Sequence, residues 1–377
     1  MSLRRVLCLG ATRVRESCYV VTSVEGIGGG KAGTLANNTV VFEFIKAKDG
    51  SPIFSKLHPV EGNVNLPDLG LSLKDRIMLI EKVNIVFHVA AAITFKQLLD
   101  DVVNTNMKGT SRIIDLYKKL KYVISFINVS TAYSKLLQKI INILQYKLGN
   151  FIFNVKMVPA KKDTRLDLVP VDYVIDTILC AVWYITIHRD SEVKVYNCMS
   201  NADLLRWGYL VDIFLECSVK TPMNDVLWYP YCKVVENKFV YFKYILACFV
   251  SCFFYGYCFK TSGRTINKKW HFRMMKINKY FNYLFTTLKH FTTHKWTFRK
   301  DNVYKMKEDI NVLKDSNKLK LDLQNIDWRK YITNYHMGGV KFILKEKSDP
   351  VNAARRLSLI SFTCPGATWV SERHWTR

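Results

Sequence analysis

The chain has 377 residues, 49% of them hydrophobic and 23% charged, so it can bury a core and wholesale disorder is excluded. Its formal charge of +25 at pH 7 asks for an anionic partner: nucleic acid, acidic lipid headgroups or a phosphate-bearing substrate. Ten cysteines lie scattered, with no CxxC pair and no Cys/His spacing that closes a zinc site. A disulfide framework and a metal centre are therefore not expected, and a reducing compartment is.

Arg4 and Arg5 precede a short apolar run that Arg13, Arg15 and Glu16 interrupt, too soon for a secretory signal. Val6 to Thr12 reads as a short strand entering a turn, and Gly26 to Thr34 as a flexible glycine-rich linker. Residues 1–40 otherwise stay unassigned. From about residue 41 the pattern is α/β. Apolar runs at Val83–Ala92 and Tyr122–Val129 are short and bounded by polar segments, as buried parallel strands are. Between them, Gln97–Lys121 carries Leu98, Val102, Ile113, Ile114, Leu116 and Leu120 at helical spacing, with Gly109 as the expected break. Strand, helix and strand in that order predict a right-handed βαβ unit. Pro170 then opens an apolar helix over Val171–Ile187.

From about residue 201 the chain is rich in Trp, Tyr, Phe and Lys, with helical spacing and few strand signals. Residues 260–347 hold 21 Lys/Arg against 7 Asp/Glu. Tyr244–Phe259 is a run of 16 uncharged, mostly apolar residues flanked by Lys238, Lys243, Lys260 and Arg264. As a helix it is about 24 Å long, short of a bilayer core of roughly 30 Å. Two readings stay open for it: an interfacial or re-entrant segment, and a buried helix of a soluble domain. The basic region carries no recognisable nucleic-acid module, so no nucleic-acid partner is expected. His290 and His294 share a helical face, but no Glu lies between them and no third ligand is evident, so they read as structural.

A series of blocks resembles the alcohol-forming fatty acyl-CoA reductases, insect members most closely. They are Val60–Ser72 (VEGNVNLPDLGLS), Val83–Phe95 (VNIVFHVAAAITF), Asn104–Thr110, Val129–Tyr133 (VSTAY) and Leu168–Val174. Val195–Cys198, Leu227–Pro230, His294–Phe298 and Ile326–Tyr331 continue it, so the likeness runs over about residues 41–345. The resemblance implies an α/β chain: an incomplete Rossmann-type, doubly wound parallel sheet over 41–200, followed by a mainly helical C-terminal domain over 201–345. It implies reduction of long-chain fatty acyl-CoA to a fatty alcohol with NADPH, at an ER or peroxisomal membrane. The tail over 346–377 matches nothing in the family and is expected to be unstructured.

Site residues follow block by block. Ala90 and Ala91 leave a strand at the sheet edge where dinucleotides lie, small enough for close backbone approach. The alternative for each is simple strand–helix packing. Asn106 matches the helix position that organises a proton relay in the superfamily, the alternative being a cap or turn. Thr131, with Ser130 beside it, ends the next strand, where a hydroxyl can polarise a substrate carbonyl. Asp172 is expected to organise structure. Gly10 begins like the family's glycine loop, but Arg13 follows where a second glycine belongs.

The superfamily also needs a Tyr-x-x-x-Lys pair after the Ser/Thr strand, where the lysine lowers the phenol's pKa. Here the chain runs from Tyr133 through Lys135 to Leu148 and soon reaches Val169-Pro170, which marks an internal deletion after 135. The one Tyr-x-x-x-Lys, Tyr117 to Lys121, lies upstream of that strand and is expected on a solvated helix face. The alternative function is therefore a catalytically inactive, membrane-associated scaffold or lipid-binding protein of the same descent.

Overall fold

A computed structural model describes residues 6–9, 18–22, 57–92, 98–131, 157–189, 192–200, 205–222, 229–237, 239–247, 250, 293–294, 296–313, 319–343 and 350–363. The chain forms two units. One comprises Met1–Lys139, Val169–Cys198 and Arg299–Leu321; the other comprises Ile140–Leu168, Met199–Phe298 and Asp322–Arg377.

Short strands with little polar alternation build the first unit, as parallel strands covered on both faces do. They are β1 (Val6–Leu9), β2 (Cys18–Thr22), β3 (Leu57–Glu61), β4 (Ile85–His88) and β5 (Ser125–Asn128). All pair in parallel in the order β3-β2-β1-β4-β5, the arrangement of a dinucleotide-binding half-sheet with its switch point between β1 and β4. The short strand read at Val6–Thr12 is β1, the central one, while β2 comes from the part of residues 1–40 left unassigned. β3 carries Pro59 and lies at the sheet edge, where a missing N–H is tolerated.

Helix α1 (Leu73–Lys82) starts at Ser72, whose hydroxyl oxygen accepts from the Asp75 N–H at 3.1 Å. Helix α2 (Leu99–Val103) runs through a π-helical turn (Asn104–Lys108) into α3 (Gly109–Tyr117). Gly109 does not break this helix. It keeps ordinary helical angles and is buried, and a Cβ there would sit 3.4 Å from Val64 Cβ and from the Val64 carbonyl oxygen. The residue serves close approach of the helix to the loop after β3.

Alternation along β4 divides the core. Val86 joins Val60, Leu69, Leu79, Val83, Ile113 and Leu116 under α1 and α3. Ile85 and Phe87 face the other way, onto Val182 and Ile178 of α4 (Val171–His188). α4 is long and apolar enough to cross a membrane by length and composition. It packs on β4 and β5, and through Cys180 and Ala181 on Met306 and Ile310, which buries 22% of the helix. Those two side chains belong to α6 (Asp301–Asn311), so Arg299–Leu321 join the sheet unit rather than the C-terminal region assigned from residue 201.

The second unit pairs β6 (Met157–Pro159) with β7 (Lys233–Val235) and packs α5 (Trp207–Lys220) against α7 (Trp328–Gly338). α8 (Pro350–Thr363) occupies the span expected to be an unstructured tail, and Ala353 and Leu357 are buried. Four residues separate those two side chains, so they share one helical face, and its burial outweighs the weak periodicity that suggested disorder. Residues 26–34 and 132–156 lie outside the described residues, as do His290 and most of 244–259.

Leu79 is fully buried, so Leu79→Ala is expected to cost about 2–5 kcal/mol of unfolding free energy by urea titration. His336 on α7 is 1% exposed, and burial pushes its pKa down to about 4. Above about pH 6.5 the imidazole is neutral folded and unfolded, and stability is unaffected. Between pH 6.5 and about 4 the unfolded chain binds a proton that the folded one refuses, so stability falls as pH falls. Unfolding midpoints measured across that window are expected to flatten in His336→Gln.

Candidate functional site at the carboxyl ends of β4 and β5

The carboxyl ends of the strands form the ligand edge of an open parallel sheet. His88 of β4 stands level with Leu9 of β1 and Asn128 of β5. Beyond the paired residues, the Val129 N–H donates to the His88 carbonyl at 2.8 Å, so β4 and β5 stay joined one step further. Ala90–Ala92 and Ser130–Thr131 therefore leave the sheet from neighbouring strands at one edge. Ala90 and Thr131 are half-buried, and Ala91 and Ser130 are exposed.

Asn106 sits in the π-helical turn rather than at a helix start. Its side chain holds the loop after β4 at two points: Oδ1 accepts from the Ala92 N–H at 2.6 Å, and Nδ2 donates to the Ala92 carbonyl at 3.1 Å. A π turn of this kind commonly marks a functional position. The helix is held in turn from the loop after β3. Arg112 Nη1 donates to the Val64 carbonyl at 2.8 Å, Arg112 Nη2 to Asn104 Oδ1 at 3.0 Å, and Thr105 Oγ1 to Asn65 Oδ1 at 2.8 Å.

Two residues that the sequence reading passed over complete this edge. His88 is 2% exposed, and its Nε2 lies 2.9 Å from Thr110 Oγ1. Thr110 Oγ1 spends its hydrogen on the Asn106 carbonyl at 2.6 Å. The hydroxyl can then only accept from the ring, which fixes the Nε2–H form of His88 and leaves Nδ1 buried without a hydrogen-bond partner. Burial lowers the imidazole pKa, so the ring stays neutral. The available signal was a histidine inside an otherwise apolar strand run.

The Asp172 carboxylate lies 3.1 Å from Lys320 Nζ in an exposed ion pair. Tyr117 departs from expectation. It is half-buried with its ring 5.1 Å from that of Phe126, and burial raises its phenol pKa, the opposite of what a proton donor to a reduced carbonyl needs. It stands where α3 leads back to the amino end of β5, away from the ligand edge.

Gly10 lies outside the described residues, directly after β1. Eight residues, 10–17, join β1 to its parallel neighbour β2. A helical crossover between parallel strands ordinarily takes a dozen or more residues. The β4–β5 side thus carries small residues on a loop that Asn106 braces.

Residues 33–147 match the NAD-binding family described as male sterility protein, and residues 251–346 match the Sterile family of the same description. Fatty acyl-CoA reductase 1 of Rattus norvegicus is 25% identical over 457 aligned positions, which take in 94% of this chain and 87% of the relative. The Homo sapiens protein of that name is 23% identical with the same coverage. The chain belongs to the fatty acyl-CoA reductase family. A putative fatty acyl-CoA reductase of Drosophila melanogaster, CG8306, is 42% identical over 93 residues, 25% of this chain and 18% of the relative.

This is an oxidoreductase family, and its NAD-binding match gives a nicotinamide nucleotide as the cofactor class. The fold is shared with the terminal reductase domain of the myxalamid PKS-NRPS pathway (14% identity, TM-score 0.56, 92% of this chain and 93% of that one). A nonribosomal peptide synthetase reductase domain from Mycobacterium tuberculosis agrees equally well (13% identity, TM-score 0.56, 91% and 92%). The rat fatty acyl-CoA reductase alignment spans 457 positions against the 377 residues of this chain, so at least 80 of them have no counterpart here.

Replacing Asn106 by Ala removes both ties to Ala92 and is expected to cost about 1–3 kcal/mol of stability. The specific readout is amide exchange at Ala92, which should accelerate. Unchanged protection there would mean that other contacts hold the loop.

Proposed function

We propose that the chain is an NADPH-dependent fatty acyl-CoA reductase that converts long-chain acyl-CoA to the fatty alcohol, working at an ER or peroxisomal membrane. The observation that carries this reading is the level ending of β4 and β5 with the Ala92 loop braced by Asn106, in a chain of that family. A bound nicotinamide nucleotide supplies the hydride. The small side chains of Ala90 and Ala91 leave room for it, and Asn106 keeps the loop that carries them from collapsing into that space. A hydroxyl on Thr131, or on Ser130 beside it, donates a hydrogen bond to the thioester carbonyl oxygen as negative charge develops there. The same donor serves the aldehyde in the second reduction.

A second reading has its own support. The eight-residue link between β1 and β2, the position of Tyr117 and the unmatched alignment positions favour a scaffold that kept the family's fold and lost its turnover. Purified full-length chain, titrated with NADPH and then given a long-chain acyl-CoA, separates the two. The reductase binds the nucleotide and consumes it; the scaffold does neither. If turnover occurs, Thr131→Val is expected to lower kcat by roughly 100-fold while leaving NADPH binding intact. A Thr131→Val protein with undiminished kcat removes the hydroxyl from the chemistry.

A further inference from the structure

Residues 239–247 and 250 are helical, and their burial runs opposite to that of an ordinary surface helix. At 100° per residue, Phe239, Phe242, Leu246 and Val250 fall within an arc of about 80°. They are 78%, 64%, 52% and 43% exposed. Val240 and Ala247 border the stripe and are also exposed, and Lys243 is the one charged residue on that face. The half-buried residues Tyr241, Tyr244 and Ile245 occupy the opposite side. A bilayer-spanning helix would present apolar groups all round; this one is seated on protein along one side and offers Phe, Leu and Val outward.

We propose that this face lies on the surface of an anionic bilayer, with the two phenylalanines, Leu246 and Val250 in the headgroup–acyl boundary and the Lys243 stem extended to the phosphates. Charge decides the occupant. The chain carries +25, and residues 260–300, which follow the helix, contain 11 Lys/Arg and no Asp/Glu. Two copies meeting through this face would bring like charge together, whereas acidic lipid supplies the opposite sign next to an apolar layer. Apolar side chains and basic residues then add, the combination that holds a helix in the interface plane. This rests on the membrane half of the function proposed above and names the surface that makes the contact.

The test is co-sedimentation of the full chain with phosphatidylcholine vesicles, with and without one-third phosphatidylserine, beside the double variant Phe242→Ser/Leu246→Ser. Both substituted positions are exposed, so folding is spared, and NADPH titration of both proteins gives a readout independent of lipid. The wild-type chain is expected to partition onto the anionic vesicles and the variant to lose about ten-fold or more of that partition. Lys243→Gln is expected to weaken binding at low salt and to matter less at high salt. Equal binding of wild type and variant overturns the face assignment. So does equal binding of the wild type to neutral and anionic vesicles, or a variant altered only in self-association by sedimentation velocity. A wild-type chain that binds neither vesicle ends the membrane reading as a whole, while the NADPH titration still reports on the reductase reading.

Discussion

The ligand edge depends on how an amide side chain on a helix fixes the backbone of a loop. Ala92 lies four residues beyond the end of β4, past the last ladder hydrogen bond, so its N–H and C=O have no strand partner. Asn106 meets both, accepting through Oδ1 and donating through Nδ2, which an ionised carboxylate, an acceptor only, cannot do. The loop is thereby referenced to the helix instead of to the strand. Whatever binds against Ala90 and Ala91 meets a surface set by the position of α2 and α3.

That position is itself determined from behind. Arg112 and Thr105 tie the π-helical turn to the loop after β3, and Gly109 lets the two backbones approach. The β3 loop has its own constraint. Asp68, Leu69 and Gly70 all take positive φ, and the Leu69 carbonyl accepts from the Asn63 N–H at 2.6 Å. Two of these three are not glycine, so the left-handed turn costs about 1–2 kcal/mol for each of Asp68 and Leu69. The burial of Leu69 in the core and the 2.7 Å pair between Asp68 and Arg76 oppose that cost. Strain after β3 and the brace after β4 are two ends of one connected arrangement. His88 extends it into the sheet, its Nε2–H donating to the Thr110 hydroxyl.

The legible parts of the sequence were those where a short apolar run met a helix of clear period. β4, β5, the helix from Leu99 to Tyr117 and α4 lie where the spacing put them. The family blocks led to Asn106, but the spacing alone did not tell that its partner would be Ala92, since a side chain meeting a backbone fourteen residues away leaves no periodic trace. β2 was lost because five residues of strand between Arg13–Glu16 and a glycine-rich stretch give too short a pattern. α6 was placed with its sequence neighbours, whereas Met306 and Ile310 find their burial on α4, a contact across more than a hundred residues. His88 carries no signal in the sequence beyond its place in an apolar run, since a buried histidine differs from its apolar neighbours through the hydroxyl it meets.

Where the proposed reductase site lies, β4, β5 and the helix between them have physical anchors: level strand ends, a bidentate amide, and a threonine that ties the helix to His88. On the other side of β4, β1 and β2 pair in parallel across a link of only eight residues, 10–17. A helical crossover between parallel strands ordinarily takes a dozen or more. A phosphate grip at a helix N-terminus depends on such a crossover, so fold likeness and family membership carry the assignment further than this side of the sheet does.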